Sequence, residues 1–186
     1  LGGVRNIAIN SNATVVYYQH SFDGSGRCMV GAPNAEGGWS EGGVIPIYPY
    51  GEHYLSCSDT TFTIGGADSN TSPKPRIAHS KNNGLLWNGV TLSASSGTRV
   101  AFIEPTNDGK WVAAMDNGEL WYSLDDCETW GQANQSLGME PEGLVFNGER
   151  MIVGGGWFGG AVVMTAELND LSEWTVRSQP LSHVRL

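Results

Sequence analysis

The chain has 186 residues, with 10 Lys plus Arg against 19 Asp plus Glu, a formal charge of −9. An acidic chain whose lysines are Lys74, Lys81 and Lys110 lacks the clustered basic face that a nucleic-acid backbone or an anionic membrane surface requires. No stretch stays apolar for the roughly 18 residues of a membrane-spanning helix, so no membrane insertion is expected.

Glycine is the outlier, at 26 of 186 residues against a usual ~7%. With 7 Trp, 6 Tyr and 5 Phe there is still enough aromatic surface for a folded, turn-rich domain. The N-terminus, Leu1-Gly2-Gly3-Val4-Arg5, has no signal-peptide pattern and no initiator Met, which suggests a processed, trimmed or incomplete chain. Cys28, Cys57 and Cys127 are far apart and form no CxxC pair. They read as small buried hydrophobes, not as zinc ligands or a disulfide framework.

Taken in order, the apolar runs are short. Ile7-Ala8-Ile9, Val15-Val16-Tyr17-Tyr18 and Arg27-Cys28-Met29-Val30 come first. Tyr54-Leu55, Thr61 to Ile64 and Arg76-Ile77-Ala78 follow. Then come Val100 to Ile103, Trp111 to Met115 and Leu120-Trp121-Tyr122, and last Leu144-Val145-Phe146, Met151-Ile152-Val153 and Ala161 to Met164. β-Branched and aromatic runs bounded by Gly, Asn, Asp and Ser are strands and turns. Asp116-Asn117-Gly118-Glu119 is the clearest hairpin, because Asn and Gly tolerate positive φ. Few windows are free of Gly and Pro long enough for a helix; Met164 to Gln179 is the main exception, and Asn169-Asp170 and Thr175-Val176 argue against one there.

The runs repeat. Trp39, Trp87, Trp130 and Trp174 are separated by 48, 43 and 44 residues, and each closes a set of three runs before a fourth short strand. Four strands per ~40–45 residues is the period of a β-propeller blade. The expected fold is an all-β propeller of four-stranded antiparallel blades, read as a single domain. The blades fall at about 1–46, 47–93, 94–137 and 138–180, with 181–186 beginning a further strand. Either four blades close as a ring, or the chain is an excerpt of a longer propeller.

Two turns share a motif. Ser123-Leu124-Asp125-Asp126-Cys127-Glu128-Thr129-Trp130 fits S-x-D-x-G-x-T-W with Cys127 in place of Gly. Ser80-Lys81-Asn82-Asn83-Gly84-Leu85-Leu86-Trp87 fits it with Asn82 for Asp and Leu86 for Thr. The pattern resembles the Asp-box repeat of sialidase-like β-propellers. The resemblance implies that Ser80, Asn82, Gly84, Trp87, Ser123, Asp125, Thr129 and Trp130 are structural. It also implies that ligands meet the opposite end of the blades. Such propellers serve sialidases, sorting receptors, assembly factors and phage tail proteins, so the fold leaves the function open.

On that opposite end lie the loops joining the second and third strands of each blade, and those joining one blade to the next. Tyr48, Tyr50, Arg99, Trp157 and Phe158 fall there and are the candidate ligand-binding residues. Trp157-Phe158 sits among five glycines, a pattern suited to an exposed aromatic platform in an uncrowded loop. Aromatic faces near carboxylates suit a glycan or a protein partner. A sialidase-like hydrolase would instead draw on Arg5, Arg99 and a carboxylate such as Glu52, Asp68, Glu140 or Glu142. The four histidines are scattered without HxH or HExxH, so no metal site, cofactor or catalytic residue is assigned. The leading expectation is a non-catalytic recognition or structural module, extracellular or on a virion surface. The alternative is a fragment of a glycoside hydrolase.

Overall fold

The computed structural model describes residues 4–10, 15–20, 26–31, 38–48, 53–157 and 160–177. Among them there is no helix. The stretch from Met164 onward, the main helix candidate by composition, is the end of a strand, a turn and a two-residue strand. The strands form four antiparallel sheets of four, each in sequence order. The chain divides into two compact units, Leu1–Val100 and Ala101–Leu186.

The first unit holds two sheets. One is built from β1 (Val4–Ile9), β2 (Val15–His20), β3 (Gly26–Gly31) and β4 (Ser40–Val44). The other is built from β5 (Tyr54–Cys57), β6 (Phe62–Ala67), β7 (Pro75–Ser80) and β8 (Asn88–Thr91). Ala8, Cys28 and Val30 of the first sheet pack with Leu55, Phe62, Ile64 and Ala78 of the second. Ile45 and Ile47 from the connecting segment and the Trp87 ring complete this core. Alternation puts Phe62, Ile64 and Ala78 on that side, so Thr63, Ile77 and His79 take the other face. They are buried as well, and β6 is buried along its whole length.

The second unit repeats the plan with β9 (Val100–Pro105), β10 (Trp111–Met115), β11 (Glu119–Ser123) and β12 (Gly131–Ser136). Its other sheet is β13 (Pro141–Phe146), β14 (Arg150–Trp157), β15 (Gly160–Glu167) and β16 (Thr175–Val176). Val112, Ala114, Leu120 and Ala133 meet Leu144, Met151, Val153, Met164 and Ala166, with Leu171 and Trp174 closing one end. β10 is buried at every residue, while the fourth strands β8, β12 and β16 are largely exposed. Middle strands covered on both faces and a wet fourth strand are what stacked blades require.

One expectation changes here. The sequence places Gly154-Gly155-Gly156 in an uncrowded loop, yet the ladder of β14 with β15 runs unbroken through it to Trp157↔Gly160. The glycines serve close approach. A Cβ on Gly155 would meet the carbonyl oxygen of Glu140 and come within 2.8 Å of Leu137 Cδ2. The chain crossing from β12 to β13 therefore lies directly on the β14 backbone. Gly143, across from Gly154 in β13, has nothing within 4 Å of its Cβ position. Gly155→Ala should therefore cost ~1–3 kcal/mol through overpacking against backbone, whereas Gly143→Ala should change stability by less than about 0.5 kcal/mol. Urea unfolding of the two variants checks this, and equal midpoints would mean that the glycine run is slack.

Candidate functional site

The turns that end the third strands are built alike. In the β7–β8 turn, Ser80 Oγ donates to Asn82 Oδ1 at 2.9 Å and accepts the Gly84 amide at 2.9 Å. Asn82 Oδ1 also accepts the Leu86 amide at 2.9 Å. In the β11–β12 turn, Ser123 Oγ donates to Asp125 Oδ1 at 2.9 Å and accepts the Cys127 amide at 3.0 Å. Asp125 Oδ1 accepts the Thr129 amide at 2.8 Å, and Asp125 Oδ2 accepts the Thr129 hydroxyl at 2.6 Å.

The backbones correspond too: φ is 57° and 80° at Asn83 and Gly84, and 56° and 71° at Asp126 and Cys127. The left-handed conformation suits Asn83, Gly84 and Asp126, and is costly at Cys127. Asp126 has a compensating role, since its Oδ1 accepts Trp111 Nε1 at 3.0 Å. The closing tryptophans differ in one respect. Trp87 Nε1 donates to Gly84 O at 3.0 Å and Trp174 Nε1 to Leu171 O at 3.1 Å. Trp130 Nε1 is buried without a hydrogen-bond partner among the described residues.

The candidate ligand face lies at the other end of these strands. In the first unit, the connection from β4 and the β6–β7 loop are joined by the Tyr48 amide, which donates to Ala67 O at 2.7 Å. His53 Nε2 bonds Tyr48 O at 2.7 Å, and Asn6 Nδ2 donates to His53 O at 2.6 Å. The His53 ring lies against Gly66, where a Cβ would stand 2.8 Å from Cδ2. Tyr48 is half-buried, and its backbone is held at both the amide and the carbonyl. Asp68, a candidate carboxylate, accepts the Lys74 amide at 2.9 Å and holds the β6–β7 loop closed. The Arg76 guanidinium and the Pro46 ring both lie over Gly89, and Arg76 donates to Thr91 Oγ1 at 3.4 Å.

Arg99 is half-buried just before β9, in the first unit with Tyr48. Trp157 closes β14 in the second unit, and Glu140 and Glu142 flank Pro141 there on the exposed side. Tyr50, Phe158 and Glu52 lie outside the described residues. Among the described residues, no group of His, Cys, Asp and Glu is placed to hold a metal ion. Nothing in composition pointed to the His53 bracket or to the Trp111–Asp126 bond. Both depend on partners that only the folded register brings together.

No protein-family model matches the chain, and no curated protein does. Solved structures do match. YCF48 bound to D1 peptide aligns with a TM-score of 0.60 at 11% identity, over 94% of this chain and 54% of that one. A prolyl endopeptidase aligns at 0.59 and 11%, over 94% and 27%. Trypanosoma rangeli sialidase in complex with sialic acid aligns at 0.54 and 14%, over 94% and 37%. Identity this low carries the fold alone, and the fold is a β-propeller. The chain spans little more than half of YCF48, 27% of the prolyl endopeptidase and 37% of the sialidase.

Two predictions follow from the turns and the thiols. Burial by itself would raise the Asp125 carboxyl, but the Thr129 hydroxyl, the Thr129 amide and Ser123 outweigh it and leave it below its usual 3.8. A carboxyl lowered by folding stabilises the protein above 3.8, and that stabilisation is lost as the pH falls through the lower folded value. Asp125→Asn should be less stable than the parent near neutral pH, and the gap should close below pH 3.8 in urea melts run across the acid limb. Burial also pushes the Cys28 thiol up to about 12, against a smaller pull from Trp87. Cys28 and Cys127 are buried and Cys57 is partly exposed. Alkylation of the folded chain followed by peptide mapping should therefore modify Cys57 first and the other two only on unfolding.

Proposed function

We propose that this chain is a non-catalytic β-propeller module that recognises a glycan or a protein partner, outside the cell or on a virion. Its Ser80–Trp87 and Ser123–Trp130 turns are read as Asp-box repeats that stiffen the far end of the blades. The observation that carries the proposal is the bracing of the ligand-side connection in the first unit. The Tyr48 amide donates to the Ala67 carbonyl and the His53 ring bonds the Tyr48 carbonyl, so Tyr48 and His53 are held in place before any partner arrives. A surface ordered in advance loses little conformational entropy on binding, which favours recognition.

One candidate carboxylate supports the same reading. Asp68 is spent on its own loop, so it is poorly placed to serve as an acid or a nucleophile. The fold suits either class of partner, since one structural neighbour is YCF48 bound to D1 peptide and another a sialidase in complex with sialic acid.

A glycan array and an immobilised peptide library, probed with the folded chain, test this reading. Binding to at least one member is expected, and Tyr48→Ala or Trp157→Ala should weaken it by about tenfold or more if the aromatics are anchors. Unchanged binding in both variants would remove the aromatic site. Hydrolysis of a fluorogenic sialoside by the chain, lost in Arg99→Ala, would overturn the non-catalytic reading.

A further inference from the structure

Four Asn-Gly pairs occur in the chain: Asn83-Gly84, Asn88-Gly89, Asn117-Gly118 and Asn147-Gly148. Such pairs can modify themselves. The glycine amide nitrogen gives up its proton and attacks the asparagine Cγ, the side-chain nitrogen leaves as ammonia, and a succinimide ring forms. Water then opens the ring to aspartate or isoaspartate. Glycine helps because no Cβ blocks the approach. The attacking nitrogen must be free of its hydrogen bond and the turn must have room to rotate, so the fold selects which pair reacts.

We propose that Asn147-Gly148, in the β13–β14 turn, is a deamidation site of the folded protein, with water as its co-reactant, and that the other three pairs are held unreactive. The Gly84 amide donates to Ser80 Oγ at 2.9 Å inside the turn. The Gly118 amide donates to Met115 O at 2.9 Å, and the Met139 backbone presses on that glycine. Gly89 is held in β8 opposite Ala78.

Gly148 has none of these restraints. It is exposed, its φ is 99°, and nothing lies within 4 Å of its Cβ position. Among the described residues its amide has no hydrogen-bond acceptor. The Asn147 side chain is held over the turn, with Oδ1 accepting the Glu149 amide at 3.1 Å and the Arg150 amide at 2.9 Å. Two donors on the carboxamide oxygen draw electrons from Cγ and make it a better target. Asn117 Oδ1 accepts a similar bond from the Glu119 amide at 3.0 Å, so the state of the glycine nitrogen is what separates the two hairpins.

Asp108-Gly109 could form the same ring by losing water. There the Lys110 ammonium and the Thr106 hydroxyl hold the carboxyl in its ionised, unreactive form, below the usual range.

Reaction at Asn147 changes the hairpin in two ways. It adds a negative charge beside Glu149 and the Arg150–Glu167 ion pair, whose Nε–Oε1 distance is 2.8 Å. The isoaspartate product also lengthens the main chain by one methylene next to the Phe146↔Met151 pair that sets the β13–β14 register.

The test is to age the full chain in mildly alkaline buffer, folded and in urea, and to follow each Asn-Gly peptide by mass spectrometry with separation of the isoaspartate form. In urea the four pairs should react at similar rates. In the folded chain Asn147 should keep its rate within about threefold, while the other three, gated by local opening, slow by about tenfold or more. Asn147→Gln should remove product from that peptide and leave the other three rates unchanged. Protection of Asn147 equal to that of the others, or another pair converting ahead of it, would overturn the proposal.

Discussion

A four-stranded antiparallel sheet whose middle strands are apolar on both faces cannot stand alone in water. β6 and β10 impose that constraint, since each is buried from end to end. At about 25 cal/mol per Å² of apolar surface, leaving either face wet would cost several kcal/mol. Sheets must therefore be covered by sheets, as Ile64 and Ala78 are by Val30 and Cys28, or Val112 and Ala114 by Met151 and Met164. The fourth strands then fall at the rim. β12 buries only Ala133 and exposes Gln132, Asn134, Gln135 and Ser136. Asn134 there reaches Glu173, and Lys110 reaches Asp108 and the Leu168 carbonyl, so the rim is tied by polar links.

Close stacking makes demands on the turns. Each must reverse the chain in few residues and leave no buried amide unsatisfied. The two Ser turns solve this with one hydroxyl and one side-chain carbonyl or carboxylate. Their departures from each other are coupled. Thr129 brings a hydroxyl that needs a second acceptor, and Asp125 has a second oxygen for it. Leu86 brings none, and Asn82 can spend its second position on an amide without leaving a donor unmatched inside the turn. Similarly, Asn83-Gly84 meets the left-handed backbone at low cost, while in the other turn Cys127 bears the strain beside Asp126, whose bond to Trp111 helps hold the turn.

Much of this was legible in the residues. The strands β6 and β10, the Asn117-Gly118 hairpin and the tryptophan spacing follow from β-branched runs, turn chemistry and period. The hydrogen bonds of Ser80 and Ser123 to turn amides follow from the reach of a short hydroxyl. Gly154 to Gly156 was not legible as strand. Glycine signals a turn through its own freedom, whereas here it answers to the Glu140 carbonyl, a partner set by tertiary packing. The equivalence of the four tryptophans was legible only in part. Trp87 and Trp174 are buried, while Trp39 is about half exposed and lies on Gly31. The candidate site was harder still, because Tyr48 owes its setting to backbone bonds that no side chain advertises.

The strand order has a consequence in time. Within every sheet each strand pairs with its neighbour in the chain. The joining turns are short, as at 58–61, 106–110, 116–118 and 147–149, so most pairing closes small loops. Small loops close quickly and at little entropic cost. A sheet can then assemble as soon as its ~40 residues leave the ribosome, with its apolar face open until the next sheet arrives. The vulnerable interval in the life of this chain is that wait between one sheet and the next.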